Sequence, residues 1–163
     1  MSRIGSFPDP VNEVSARLVA AGVASLCTAI LVLDQAWLLL ALAYGFVARL
    51  LHGPRFSPLG LVVTRVVVPR LPVAPKDVPG PPKRFAQGIG ATLSVAAVAL
   101  HAAGAAGAAD VLVAMILGAA TLEAVFALCL GCRIFAGLMR LGVIPAETCA
   151  ACADLSTGRS TAA

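Results

Sequence analysis

The chain has 163 residues, of which 60% are hydrophobic and only 12% are charged, whereas a soluble domain is about half apolar and about a quarter charged. This balance excludes an ordinary soluble domain. Because the apolar residues stand in long uninterrupted runs, it indicates an integral membrane protein with the lipid bilayer as its partner. The net charge is +4, but no arginine-rich or zinc-finger pattern accompanies it, so nucleic-acid binding is not expected.

The first two apolar runs predict a helical hairpin that follows an N-terminal cytoplasmic segment over residues 1–9. Asp9-Pro10 is typical of a helix start, because an acidic capping residue precedes a proline at the first helical position. The first span is predicted over 10–33 and the second over 35–51, with Asp34 between them.

A shorter apolar segment follows the hairpin. Ser57-Pro58 is again typical of a helix start, and the run that follows is too short to cross a bilayer. It predicts an interfacial amphipathic helix over 58–68, before a proline-rich connector. Its apolar face comprises Leu59, Val62, Val63, Val66 and Val67.

The second half of the chain predicts two more spans, over 84–107 and 111–140. Its many alanines and glycines permit close helix packing, and Asp110 is expected to cap the last span. A short C-terminal helical hook follows Pro145, and residues 153–163 form a small polar tail that is expected to be disordered.

The predicted fold is therefore an all-α membrane protein, with a membrane domain over 10–152. It has four transmembrane helices, one interfacial amphipathic helix and a short C-terminal helical hook. The two hairpin turns contain no Lys or Arg, whereas the connector and the C-terminal side are basic. Basic loops stay in the cytoplasm, so both termini are expected on the cytoplasmic side of a bacterial inner membrane.

Two cysteine pairs near the end of the last span are the main candidates for chemistry. Cys129 and Cys132 form CLGC, and after sixteen intervening residues Cys149 and Cys152 form CAAC. This spacing falls within the range of four-cysteine zinc sites, but the predicted helix over 111–140 places CLGC inside a helix and leaves the two pairs at different levels. Cysteines three positions apart share a helix face and permit a local disulfide, which favours redox chemistry. Packing remains the third alternative, and it is the interpretation for Cys27.

Glu123 is the other unusual residue, because a carboxylate inside a membrane span is costly and marks a candidate functional site. On one continuous helix it faces away from both CLGC cysteines. A basic residue of the connector is a candidate ion-pair partner.

Four motifs resemble a known family: FPDPVNE, SPLGLVVTR, VPGPPKRFAQGIG and ALCLGCRIFAGLMRLGVIPAETCAAC. They are similar to the bacterial membrane family catalogued as domain of unknown function 4395, over about Phe7 to Cys152. The resemblance implies a four-helix membrane protein and, from genomic company, a thioredoxin-like or sulfurtransferase-like partner, but no activity. The motif residues are Pro8, Asn12, Pro58, Gly80, Pro81, Pro82, Lys83, Arg84, Phe85, Gln87, Glu123, Cys129, Gly131, Cys132, Pro145 and Cys149.

The sequence thus favours a thiol–disulfide or sulfur-group relay at the cytoplasmic membrane face. Cys129 and Cys132 would form the primary dithiol, Cys149 and Cys152 would resolve or relay, and Glu123 would transfer protons. One alternative is a non-enzymatic assembly protein whose hook is tied by zinc through the same four cysteines. Another is a small transporter that uses Glu123 and the basic connector. The sequence decides neither an enzyme class nor a cofactor, and it leaves a homodimer open.

Overall fold

The computed structural model describes residues 9–53, 56–72 and 77–149, and within these ranges the protein is mostly helical. Two short strands, six α-helices and three helical turns follow one another along the chain. They are β1 (Val11–Asn12), α1 (Glu13–Leu33), α2 (Ala36–His52), α3 (Pro58–Val62) with a π turn (Val63–Val67) and a 3-10 turn (Val68–Arg70), β2 (Asp77–Val78), α4 (Gly80–Ala102), α5 (Ala106–Phe126), α6 (Leu130–Arg140) and a 3-10 turn (Ala146–Thr148).

Three of these helices are long and apolar enough to cross a bilayer, namely α1, α4 and α5, so the chain has the character of a membrane protein. Helix α2 is apolar but has only 17 residues, which corresponds to about 26 Å of helix against about 30 Å of bilayer core. Residues 1–8 of the predicted N-terminal segment over 1–9, the tail over 153–163 and Cys152 lie outside the described residues.

The start of α1 differs from the prediction. The helix begins at Glu13, because the Asn12 side chain accepts hydrogen bonds from the backbone N–H groups of Val14 and Ser15 at 2.9 and 3.3 Å. Asp9 was the expected cap, but its carboxylate accepts a hydrogen bond from the Gly80 N–H at 3.0 Å instead. The capping acid therefore serves the first turn of α4, which is distant in sequence.

Backbone pairing provides a second link between the start of α1 and the start of α4. Strand β1 runs antiparallel to β2, with Val11 opposite Val78 and Asn12 opposite Asp77. These bonds hold the start of α1 beside the start of α4, so both helices set out from the same end of the molecule.

The segment after α2 packs differently from the predicted amphipathic helix. Ser57 caps α3 as a helix-start residue, and Leu59 lies against Gly22, nine residues into α1. Val63 is buried, whereas Val62 and Val66 are 52% and 43% exposed. The helix is not regular over the predicted 58–68, since a π turn over Val63–Val67 changes the angular spacing of its side chains. The interfacial position of this segment stays a prediction.

Helices α4 and α5 also begin earlier than expected. Helix α4 starts at Gly80 rather than at residue 84, because prolines are tolerated in a first helical turn whose N–H groups have no helical partner. Helix α5 starts at Ala106, so Asp110 lies inside the helix and does not cap it. Alanine is the best helix former, and the alanine-rich stretch before Asp110 extends the helix toward the turn at Gly104.

The core forms where four long helices meet. Helix α1 packs on α5, α5 on α4, and α4 on α2, while the short α6 packs on α4. Their shared apolar cluster includes Cys27 and Val113, neither of which is exposed, so the packing interpretation of Cys27 agrees with its place in the core. Larger apolar side chains such as Trp37 and Phe126 remain 63% and 70% exposed, which suits helices whose outer surfaces face lipid.

Helix α6 approaches α4 closely at Gly131. A Cβ atom at Gly131 would lie 2.5 Å from the Ala86 Cβ and 2.6 Å from the Ala86 Cα, whereas a Cβ at Gly137 of the same helix would meet nothing within 4 Å. Glycine at position 131 is therefore required by the contact with the α4 backbone.

We predict that Gly131→Ala lowers stability and that Gly137→Ala does not. Overpacking against a backbone costs about 1–3 kcal/mol, whereas replacing an open helical glycine by alanine gains up to about 1 kcal/mol. Thermal unfolding of both variants in the same detergent measures the difference. Equal midpoints for the two variants would show that α6 does not pack on α4 in this way.

Candidate functional site

The predicted last span is not one helix. Helix α5 ends at Phe126, Ala127 adopts the left-handed conformation with φ 56°, and α6 begins at Leu130. No glycine or proline marks the break in the sequence, so the local pattern predicted a helix over 111–140, and that prediction is wrong.

A distant arginine stabilises the break. The last carbonyls of a helix have no partner within the helix, and at the end of α5 they accept hydrogen bonds from Arg17 of α1. Its Nη2 lies 3.0 Å from the Ala124 oxygen and 3.1 Å from the Val125 oxygen, and its Nε lies 3.2 Å from the Ala124 oxygen. No local sequence pattern singles out Arg17 for this role, because the contact joins positions 107 and 108 residues apart.

The break places CLGC at the N-terminus of α6. Cys129 is the N-cap residue, and its sulfur accepts a hydrogen bond from the Cys132 backbone N–H at 3.4 Å. The prediction that CLGC lies inside a helix is therefore wrong for Cys129. Both cysteines are free thiols, with Cys129 buried and Cys132 partly buried.

An ion pair lies beside these thiols. Lys83, in the first turns of α4, donates a hydrogen bond to the Glu123 carboxylate near the end of α5, and the two side chains are only 13% and 18% exposed. Both charges act electrostatically on Cys129 and Cys132. The expectation that Glu123 faces away from the cysteines fails, because it assumed one straight helix.

The two thiols differ in acidity. The pKa of Cys129 is lowered, chiefly because the Cys132 side chain donates a hydrogen bond to its sulfur; the Lys83 charge and the Cys132 backbone N–H add to this, while burial and Glu123 oppose it. The pKa of Cys132 is raised, because it is the donor in that hydrogen bond and is also buried. Cys129 is therefore the thiol that ionises first.

A cavity of about 310 Å³ opens from this site between the helices. Most of its wall is apolar, and its polar wall includes Lys83, Glu123, Cys129 and Arg49. Arg49 is only 5% exposed, and it donates hydrogen bonds to Gln87 Oε1 and Ser57 Oγ, each at 3.0 Å. Arg49 was not among the site residues predicted from the sequence, although an ionisable residue in an apolar run is itself a candidate functional residue.

Cys149, the described member of the second cysteine pair, is not brought into this site. Cys149 is buried beyond the 3-10 turn, it does not line the cavity, and Cys152 lies outside the described residues. Within residues 9–53, 56–72 and 77–149, no cluster of three or more His, Cys, Asp or Glu residues has a geometry suited to a metal ion. The proposed zinc-tied hook thus has no ligand set in the described part of the chain.

Comparison with known proteins agrees with the resemblance seen in the motifs. Residues 11–140 match the family described as a domain of unknown function, DUF4395. Neither a curated protein nor a solved structure matches the chain. The match contains Arg49, Lys83, Glu123 and the CLGC pair, and it ends before Cys149. Since it covers most of the chain, the protein belongs to the DUF4395 family.

Proposed function

We propose that this protein exchanges thiols and disulfides at one end of its membrane domain, with Cys129 as nucleophile and Cys132 as resolving thiol. The observation that carries the proposal is the helix break that makes Cys129 the N-cap of α6. Cysteines at helix N-termini and beside basic groups have a lowered pKa and react as thiolates. A buried packing cysteine has neither feature.

The proposed thiol–disulfide exchange uses Cys129, Cys132 and Glu123. The Cys129 thiolate attacks one sulfur of a partner disulfide and forms a mixed disulfide, and the other partner sulfur leaves as a thiolate. Cys132 then loses its proton and attacks the Cys129 sulfur, which releases the partner as a dithiol. In this proposal the Glu123 carboxylate, which pairs with Lys83, accepts that proton.

The positions of α1 and α4 also support a fourth membrane crossing by α2. Helices α1 and α4 start side by side, since β1 pairs with β2. If α1 crosses the bilayer, the chain must return to the same side before Gly80, and α2 is the apolar helix available for the return. Arg49, near the end of α2, donates a hydrogen bond to Gln87, near the start of α4. This contact is expected if α2 runs back to the side of the membrane where α4 begins.

The site lies at the end where the basic connector leaves the helices, so we place it at the cytoplasmic face of the inner membrane. The reducing cytoplasm keeps such thiols available for exchange. A thioredoxin-like or sulfurtransferase-like protein is the proposed partner, which follows from the family resemblance. A relay through Cys149 and Cys152 stays a prediction.

We predict that Cys129→Ser abolishes reaction with oxidised thioredoxin and that Cys132→Ser traps a mixed disulfide. The first variant removes the nucleophile, and the second removes the thiol that releases the partner. Non-reducing gel electrophoresis after acid quenching measures both, with Cys27→Ser as the control for a buried thiol outside the site. A mixed disulfide through Cys27, or unchanged exchange in Cys129→Ser, contradicts the assignment.

The pH dependence of Cys129 alkylation tests its electrostatic environment. We expect a midpoint below the usual value of about 8.5 for a thiol. Cys132→Ala and Lys83→Met should raise the midpoint, because each removes a group that stabilises the thiolate, and Glu123→Gln should lower it, because it removes a negative charge. The rate is measured by mass spectrometry of the Cys129 peptide.

Arg84→Met is the matched control for Lys83→Met, because Arg84 is a neighbouring cation whose side chain is exposed. It should shift the midpoint less than Lys83→Met does. Equal shifts of the midpoint in the two variants would show that Lys83 acts only through the overall positive charge of this region and not through its position beside Cys129.

A further inference from the structure

Arg49 is a buried charge whose described partners are all neutral. Its two hydrogen bonds go to an amide oxygen and a hydroxyl, and its guanidinium carbon lies 4.7 Å from the centre of the Phe46 ring. Among the described residues, no carboxylate is within ion-pair distance of it. Burying a charge without a counter-charge is costly, so its retention in an apolar helix points to a ligand.

The surrounding residues shape a place for this side chain. A Cβ at Gly45 would lie 3.2 Å from Arg49 Nη1, so the glycine leaves room for the guanidinium along the helix. Gly90 does the same for the Phe46 ring, which a Cβ at position 90 would overlap. The guanidinium is thus held in the wall of the cavity.

The same cavity has Cys129 in its wall, together with Lys83 and Gln87. Lys83 and Gln87 are separated by one turn of α4, which is about 6 Å along the helix. Cys129, Lys83 and Gln87, the hydrogen-bond partner of Arg49, therefore line one cavity whose wall is mostly apolar.

The cavity also reaches the outer surface of the helices. Met115 and Ile134 line it, and they are 55% and 50% exposed. Since α5 is long and apolar enough to span a bilayer, a lipid-soluble molecule has access to the cavity from the membrane.

We propose that the cavity binds the headgroup of a membrane quinone, which oxidises the Cys129–Cys132 dithiol. The inference rests on the proposed thiol function, taken in the reverse direction, in which the Cys129–Cys132 disulfide oxidises a partner dithiol, and it names the electron acceptor that re-forms this disulfide. A quinone ring suits an apolar cavity, its carbonyl oxygens accept hydrogen bonds from Arg49 and Lys83, and their positive charges stabilise the negative charge that develops as the ring is reduced.

The oxidation of the Cys129–Cys132 dithiol by a quinone needs no further oxidant or reductant. The two S–H bonds break, and a bond forms between the sulfurs of Cys129 and Cys132. Two electrons pass from the sulfurs to the ring, and the two protons go to the two quinone oxygens, which gives a hydroquinone. The Lys83–Glu123 pair lies where the protons leave the thiols.

The test uses the reduced full-length protein in lipid nanodiscs, with decylubiquinone as the probe. The ring of this quinone is fully substituted, so simple addition of a thiol to the ring does not consume it. Loss of both CLGC thiols and the fall in quinone absorbance are followed together, and one quinone should be reduced for each disulfide formed.

Two variants locate the reaction in the cavity. Ala119→Leu places a larger side chain in its wall, whereas Ala114→Leu changes an exposed residue of the same helix that does not line it. Gln87→Glu gives Arg49 a counter-charge at its present hydrogen-bond partner. We expect Ala119→Leu and Gln87→Glu to raise the half-saturating quinone concentration at least about tenfold, which corresponds to 1.4 kcal/mol, and Ala114→Leu to leave it unchanged.

Each outcome separates the two proposals. If the thiols exchange with oxidised thioredoxin but decylubiquinone does not oxidise them, the quinone inference falls and the proposed function stands. If the thiols react with neither, both fall. If quinone oxidises wild type, Ala119→Leu and Gln87→Glu equally, the reaction does not use the cavity and the inference is wrong.

Discussion

The hydrogen bonds from Arg17 to the end of α5 are the interaction on which the site depends. The last carbonyls of a helix have no donors within the helix, so a side chain of another helix that donates to them stabilises the helix end. Arg17 supplies these donors to Ala124 and Val125, and the chain then turns at Ala127 instead of continuing as a helix. A continuous helix would place Cys129 in mid-helix, with its sulfur far from any free N–H group.

The turn changes what two cysteines can do. In mid-helix a CxxC pair has only its spacing, because the backbone N–H groups are already bonded to carbonyls. At the start of α6 the Cys132 N–H is free to donate to the Cys129 sulfur. The hydrogen bond that the Cys132 side chain donates to the Cys129 sulfur lowers the pKa of Cys129 and raises that of Cys132, and the turn also brings the pair beside the Lys83 and Glu123 charges.

Lys83, Glu123 and Arg49 all line the cavity, and they are held in different ways. Lys83 and Glu123 neutralise each other across α4 and α5, whereas Arg49 has a ring, an amide and a hydroxyl around it. A buried ion pair compensates part of its desolvation cost without a ligand. A buried cation without a counter-charge is stabilised when an electron-rich ligand binds beside it. The cavity lies between these two kinds of charge, with a thiol in its wall.

The sequence by itself determined the membrane character and the approximate positions of the long helices, and it singled out the CLGC pair and Glu123 as candidate site residues. Apolar runs and their lengths are local properties, and a membrane allows few structures other than helices to satisfy the backbone. Only the tertiary structure decided the break after Phe126, because its stabilising donor is on α1, more than a hundred residues away. It also decided that Lys83 pairs with Glu123 and that Arg49 faces a cavity, since side chains from different helices meet according to packing that no local pattern encodes.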